Sequence, residues 1–235
     1  MNRSKTSKRK EYTKVLILRT IGNFLIIASL FFIVKTFYKP VKEEVRYFID
    51  SRFEKTYIVA GLKDKDIRQD RPKGLLAKTF EFKKTELLVP EDPYFSIVIP
   101  KIAANAKVQP NIDPTDEKVY LEALKKGVAH ALGTAFPGEG GHVFLYAHST
   151  DYLWNVGSYN AVFYLLYKLE KGDEINVFYK GKRNVYKVID KKVVTPSQVE
   201  YLTRKTNKEF LTLQTCWPPG TTLKRLLVLA TRVAE

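Results

Sequence analysis

The sequence predicts a mainly β domain, a closed or partly closed barrel with short interposed helices, carried behind an N-terminal membrane helix. Three observations predict it. From Tyr94 onward, short apolar runs alternate with turn signals. Only two segments of that region have helical spacing. Upstream lies one strongly apolar stretch of the length, about 20 residues, that a helix needs to cross a bilayer. Barrel closure is expected because it removes the exposed edges that short strands otherwise present.

The elements follow in chain order. Residues 1–14 form a basic tail, with Arg3, Lys5, Lys8, Arg9, Lys10 and Lys14 against Glu11 alone. Residues 15–35 read as a transmembrane signal anchor: 20–34 holds no charged residue, Arg19 snorkels at one end, and Lys35 and Lys39 close the other. A cleaved signal and a soluble core helix are the competing readings; the absence of a small-x-small cleavage site favours the anchor. The basic excess ahead of it places the N-terminus in the cytoplasm and the rest outside.

Residues 36–93 are charge-dense and read as an extracytoplasmic stalk or linker. Val45, Phe48, Ile49 and Phe53 recur at helical spacing, 63–73 is polar, and 79–82 and 87–89 are candidates for a short strand or lid. Residues 94–235 form the main domain. Strands are expected at 95–99, stopped by Pro100; at 143–147; at 175–179 and 185–189, as a hairpin around Gly181; and at 211–215 and 226–233. Helices are expected at 116–125, capped by Thr115 or Asp113, and at 161–169, ended by Lys171-Gly172. Gly138-Glu139-Gly140-Gly141 lacks the Lys-Ser and helix of a phosphate loop and reads as a hairpin loop.

Composition narrows the chemistry. The 235 residues carry a formal charge of +15, with one Cys and three His. An intrachain disulfide framework and a multi-thiolate metal site are excluded. The basic residues follow no nucleic-acid recognition pattern, so no nucleic acid is expected as a partner; anionic headgroups and wall polymers suit the charge better.

Cys216 ends the apolar run 210–215 and is followed by Trp217-Pro218-Pro219-Gly220, so it stands where a strand gives way to a rigid loop. A thiol there becomes a nucleophile if a base or cation stabilises its thiolate. His148 ends its own strand in the same manner, whereas His130 and His142 read as structural. Arg225, across the Gly220 turn, is placed to return beside Cys216 as a cation for charge developing on a carbonyl oxygen; Arg232 is the competing arginine. The competing reading of Cys216 is a small buried hydrophobe.

These residues resemble a known family. Thr212-Leu213-Gln214-Thr215-Cys216, then Pro-Pro-Gly and 225–228, resemble the active-site signature of sortases. Tyr146-Ala147-His148, Phe163 with LYKLEKGD at 166–173, Tyr186-Lys187-Val188 and Ile99-Pro100-Lys101-Ile102 match in order, over roughly 94–235. The resemblance implies a barrel of about eight strands, a membrane anchor, and transpeptidation of secreted proteins bearing an LPxTG-like sorting signal. It makes Cys216 the nucleophile, His148 the acid and then the base, Arg225 the oxyanion and substrate-positioning group, and Thr215 a substrate-binding residue. The acceptor is an amine of a peptidoglycan precursor or a protein Lys, and no cofactor is implied. Ala147 and Ser149 depart from the common pattern around the histidine. The Pro-Gly segment after the cysteine is nearest to class D or E, and the lack of a second C-terminal apolar segment argues against a pilin polymerase. Some sortases bind calcium; Asp113, Asp116 and Glu200 are available, but are expected to be solvated charges. An L,D-transpeptidase or papain-like peptidase fits the residues around Cys216 less well. The alternative from another class is a noncatalytic, membrane-tethered β-domain that binds wall or secreted partners.

Overall fold

A computed structural model describes residues 3–60, 85–150 and 162–233, with side chains from Tyr12 onward. The expectations for 63–73 and 79–82 lie outside these, as does the start of the 161–169 helix. The chain divides into two compact units, 1–43 and 44–235.

The described residues of the first unit, 3–43, all belong to α1 (Arg3–Arg52). Among the described residues α1 is the one helix long and apolar enough to cross a membrane. Two of its hydroxyls bond back to the preceding turn: Thr20 Oγ1 donates to the Leu16 carbonyl at 2.9 Å and Ser29 Oγ to that of Leu25 at 2.8 Å.

The second unit opens with the last residues of α1, so the described parts of the expected stalk, 44–60 and 85–93, belong to the same compact unit as the barrel. Helical spacing at 45–53 is correct, but the apolar stripe is not the packed face. Val45, Phe48, Ile49 and Phe53 are exposed. Tyr47 packs on the barrel core instead, and Arg46 donates to the Ile102 carbonyl at 3.0 Å. Next, β1 (Thr56–Val59) and β2 (Thr85–Leu88) pair in parallel, with Val59 and Leu88 packed against Val98 and Phe178.

The barrel comprises β3 (Phe95–Ile99), β4 (Ala104–Ile112), β5 (Val128–Ala131), β6 (His142–Tyr146), β7 (Glu174–Tyr179), β8 (Lys182–Val194), β9 (Phe210–Trp217) and β10 (Lys224–Arg232). They close in the order β10-β8-β7-β3-β4-β5-β6-β9. The β4–β5 and β6–β9 pairs are parallel and the other neighbours antiparallel. Alternation fills the interior with Ile97, Ile99, Val143, Leu145, Ile175, Val177, Leu211, Leu213, Leu226 and Val228. Burying each such side chain contributes about 1.5–3 kcal/mol. The expected 175–189 hairpin is present. Its two-residue turn places Lys180 at φ +47° and Gly181 at +75°, the doubly left-handed turn whose twist matches the strands.

Four local expectations are corrected. β4 escaped the apolar-run test because only Ala106 and Val108 of its residues are buried. β5 was missed because it is four residues long. Around α2 (Glu117–Lys125) the N-cap is Asp116, whose carboxylate accepts from the Lys118 and Val119 amides; Asp113 closes a turn onto Thr115 instead. The second expected helix is a 3₁₀ helix, Tyr164–Lys168. Phe163, Leu166 and Leu169 are fully buried at intervals of three, the repeat of a 3₁₀ turn rather than an α-helix.

The loop 138–141 joins antiparallel β5 and β6, as expected of a hairpin. Its amides have an internal anion: Gly138 N and Gly140 N donate to the Glu209 carboxylate at 2.9 and 3.2 Å. The Tyr186 hydroxyl donates to the same group, and Arg232 pairs with it at 3.2 Å. Glu209 precedes β9 and Arg232 ends β10, so one carboxylate clamps the far ends of the two strands whose near ends carry Cys216 and Arg225.

Candidate active site

The site is built at one end of the β6–β9–β10 sheet. In the parallel β6–β9 pair Tyr146 stands opposite Gln214. The pairing continues past β6: Ala147 N donates to the Gln214 carbonyl at 3.1 Å, and Thr215 Oγ1 donates to the Ala147 carbonyl at 2.9 Å. One step further along each strand lie His148 and Cys216, on neighbours about 4.8 Å apart. Val143, Leu145 and Ala147 face the interior, as do Leu211 and Leu213. Alternation along β9 therefore carries Cys216 to the outer face, and His148 follows two residues past the end of β6.

On the other side of β9, Arg225 is the direct antiparallel partner of Cys216 and shares its face. Its Nη1 donates to the Thr222 and Lys224 carbonyls at 3.0 and 3.1 Å, which ties the guanidinium to the turn that precedes it. Arg232, the competing arginine, lies at the opposite end of β10 on Glu209. Gly220 of the β9–β10 turn approaches Thr150: a Cβ there would stand 3.7 Å from its hydroxyl. The loops leaving His148 and Cys216 therefore meet.

Electrostatics define the resting pair. Burial pushes the Cys216 thiol up, and the Arg225 charge opposes it. Burial also holds His148 below the usual imidazole range. Near neutral pH the pair therefore rests as thiol and neutral imidazole, and the thiolate–imidazolium form is its minor tautomer. Arg225 is the group that stabilises the thiolate, so Arg225→Ala is expected to slow alkylation of Cys216 at neutral pH and to lower turnover about 10²–10³-fold with an unchanged circular-dichroism spectrum. Near wild-type turnover would remove Arg225 from the chemistry.

The other expected residues fall as follows. Thr215 is buried, and its hydroxyl is engaged by Ala147. His130 is buried: its Nδ1 accepts from the Asn111 amide at 3.3 Å, and Nε2 lies 3.0 Å from the Ala135 carbonyl. His142 lies 2.8 Å from the Thr212 hydroxyl, with burial, reinforced by the Arg204 charge, holding it down to about 4. Both are structural. Asp113 and Asp116 are occupied by the turn and cap described above, and Glu200 lies exposed in the 3₁₀ turn Val199–Tyr201. Among the described residues no cluster of three His, Cys, Asp or Glu side chains is placed to hold a metal. Sequence reasoning missed Glu209 and the supporting pair Tyr167 and Trp217, whose rings pack at 5.5 Å. The signal available for the latter was a large aromatic directly after Cys216.

The structure is a closed eight-stranded barrel in which Cys216 and Arg225 are register partners at one end of β9 and β10, with His148 just past the same end of β6. The Sortase domain family model matches residues 97–233, more than half the chain, and the chain belongs to the sortase family. It is 28% identical over 138 residues to Sortase D of Bacillus subtilis (strain 168), covering 57% of this chain and 61% of that protein. The matched region thus spans less than two thirds of that relative's length. Sortase C-1 of Actinomyces oris superposes with a TM-score of 0.50 at 33% identity, over 62% of this chain and 76% of that one. Sortase C1 of GBS Pilus Island 1 gives 0.51 at 28% identity, over 60% and 64%.

Proposed function

We propose that the chain is a membrane-anchored cysteine transpeptidase with its N-terminus in the cytoplasm and its barrel outside. Its substrates are secreted proteins bearing an LPxTG-like C-terminal sorting signal. The observation that carries the reading is the placement of Cys216 between its register partner Arg225 on β10 and the His148 end of β6. In the reactive tautomer the Cys216 thiolate adds to the scissile carbonyl carbon, and Arg225 faces the oxygen as it gains charge. Collapse of the tetrahedral intermediate breaks the C–N bond. The leaving amine takes its proton from His148, and a thioester remains. An incoming amine, from a peptidoglycan precursor or a protein Lys, gives its proton to His148 as it attacks. Its addition product then expels the Cys216 thiolate and forms the new amide.

In this reading Thr215 holds the Cys216 and His148 strand ends together through Ala147, and is a positioning residue rather than a substrate contact. The reaction consumes no redox equivalents, and its steps need no cofactor. A class D-like assignment is supported by Trp217-Pro218-Pro219-Gly220 and by the likeness to Sortase D.

The test is intact-mass spectrometry of the chain with a small set of sorting-signal peptides, with and without an amine. The expected result is an acyl adduct on Cys216, absent from Cys216→Ala and resolved by the amine into a ligated peptide. Rapid iodoacetamide labelling without any peptide adduct would confine the error to the sorting motif. A folded chain whose Cys216 resists both reagents would favour a noncatalytic binding module.

A further inference from the structure

We propose that Glu44, on α1 eight residues before its end at Arg52, is a positioning residue for Cys216, acting through Tyr167 and Trp217. The inference rests on the transpeptidase reading of Cys216. Trp217 directly follows the nucleophile and is the last residue of β9, paired with Lys224 beside Arg225. Its indole is partly buried against the barrel core and meets the Tyr167 ring at 5.5 Å and 51°.

Tyr167 is in turn fixed from two sides. Its hydroxyl donates to the Glu44 carboxylate, and its carbonyl accepts from Lys191 Nζ at 2.7 Å. Burial, and then the Glu44 carboxylate, push the Tyr167 hydroxyl up to about 12, so it remains a donor throughout the physiological range. Lys168 completes the cluster. Its ammonium lies 3.2 Å from Glu44 and over the rings of Tyr47 and Tyr167, at 5.1 and 4.8 Å.

The path from Glu44 to Cys216 is therefore one charge-assisted hydrogen bond, one ring contact and one peptide unit. A carboxylate 123 residues from Tyr167 in sequence sets the side chain on which the strand exit rests. A second tie between α1 and the barrel, from Arg46 to the Ile102 carbonyl, leads to the turn after β3 and not to the nucleophile. The two ties provide the contrast that separates positioning from attachment.

The experiment uses the full chain in lipid nanodiscs, with Trp154→Phe so that Trp217 is the only tryptophan. Glu44→Ala, Tyr167→Phe and Arg46→Ala are compared for kcat, KM, acrylamide quenching of Trp217 and iodoacetamide labelling of Cys216. Glu44→Ala and Tyr167→Phe are expected to lower kcat about tenfold, because a small misplacement of a reacting group is costly, with KM within about twofold. Both make Trp217 more accessible to quencher. Glu44→Gln, which retains an acceptor, brings kcat back to within about threefold of wild type. Unchanged quenching and kcat in Glu44→Ala would overturn the proposal, as would an equal loss of kcat in Arg46→Ala. Should the wild type form no acyl adduct, the transpeptidase reading fails separately. Quenching of Trp217 and labelling of Cys216 then decide the coupling: a shift confined to Glu44→Ala and Tyr167→Phe upholds it, and no shift overturns it.

Discussion

His148→Gln is expected to lower kcat/KM about 10³-fold while leaving the barrel folded, because in the proposed reaction it removes the group that protonates the leaving amine and deprotonates the incoming one. The side chain stands past the end of β6, so the strand pairing that ends with the Thr215–Ala147 bond does not depend on it. The pH profile of the wild type carries the second half of the prediction. A reaction that runs through thiolate and imidazolium has a bell-shaped profile with macroscopic limits belonging to the pair. Burial lowers His148 and raises Cys216. The acid limb is therefore expected below the ordinary imidazole range and the alkaline limb above the ordinary thiol range, with a broad maximum between them. In His148→Gln the imidazole no longer titrates, and residual activity should rise with pH as the thiolate forms. A variant that keeps wild-type kcat/KM would remove His148 from proton transfer, whereas a wild-type acid limb inside the ordinary imidazole range would show that burial does not lower that group.

What the sequence made legible was governed by local chemistry. Strands with a continuous apolar run, such as β3 and β9, announce themselves because both of their faces are covered. β4 does not, because it carries Asn105, Lys107, Gln109 and Asn111 among its few inward residues. The 3₁₀ helix at 164–168 was misassigned in type because runs at spacings of three and of three-to-four look alike over five residues. At the site, Cys216 and His148 were legible as polar residues terminating apolar strands. Arg225 was legible as the return across a glycine turn. The antiparallel register then makes it the direct partner of Cys216.

The residues that escaped were those whose partners are distant in the chain. Nothing local links Glu44 to Tyr167, or Gly138 to Glu209, separated by 123 and 71 positions. The apolar stripe Val45, Phe48, Ile49 and Phe53 pointed to the opposite face of α1 from the one that meets the barrel. That packed face is made of Tyr47 with charged residues whose polar ends find partners there. Thr215 carries the same lesson within the site. The family resemblance makes it a substrate-binding residue, and its hydroxyl donates to the Ala147 carbonyl, a bond to a residue 68 positions away that nothing local announces.

Glu209→Ala is expected to destabilise the barrel by about 4 kcal/mol, a large share of the roughly 5–15 kcal/mol that holds a domain together. The carboxylate is 8% exposed and gathers four donors from three separate segments: the Gly138 and Gly140 amides, the Tyr186 hydroxyl and the Arg232 guanidinium. Hydrogen bonds to a charged group contribute about 1.5–3 kcal/mol each, and donors left buried without a partner add their own cost. Tyr186 is fully buried and loses its acceptor outright. Arg232 is 36% exposed and recovers water, so its share is small. Glu209→Gln, which retains one acceptor oxygen but turns an amide donor toward the same cluster, should cost about half as much. The thermal midpoint checks both, since 1 kcal/mol moves it by about 2–4 °C in a domain of this size. A drop below about 3 °C for Glu209→Ala would show that the clamp contributes little. Because the clamp joins the far ends of β9 and β10, residual turnover below the midpoint should remain close to wild type: a loss of clamping depletes the folded population without moving Cys216 away from Arg225, in a register of eight residue pairs between the two strands.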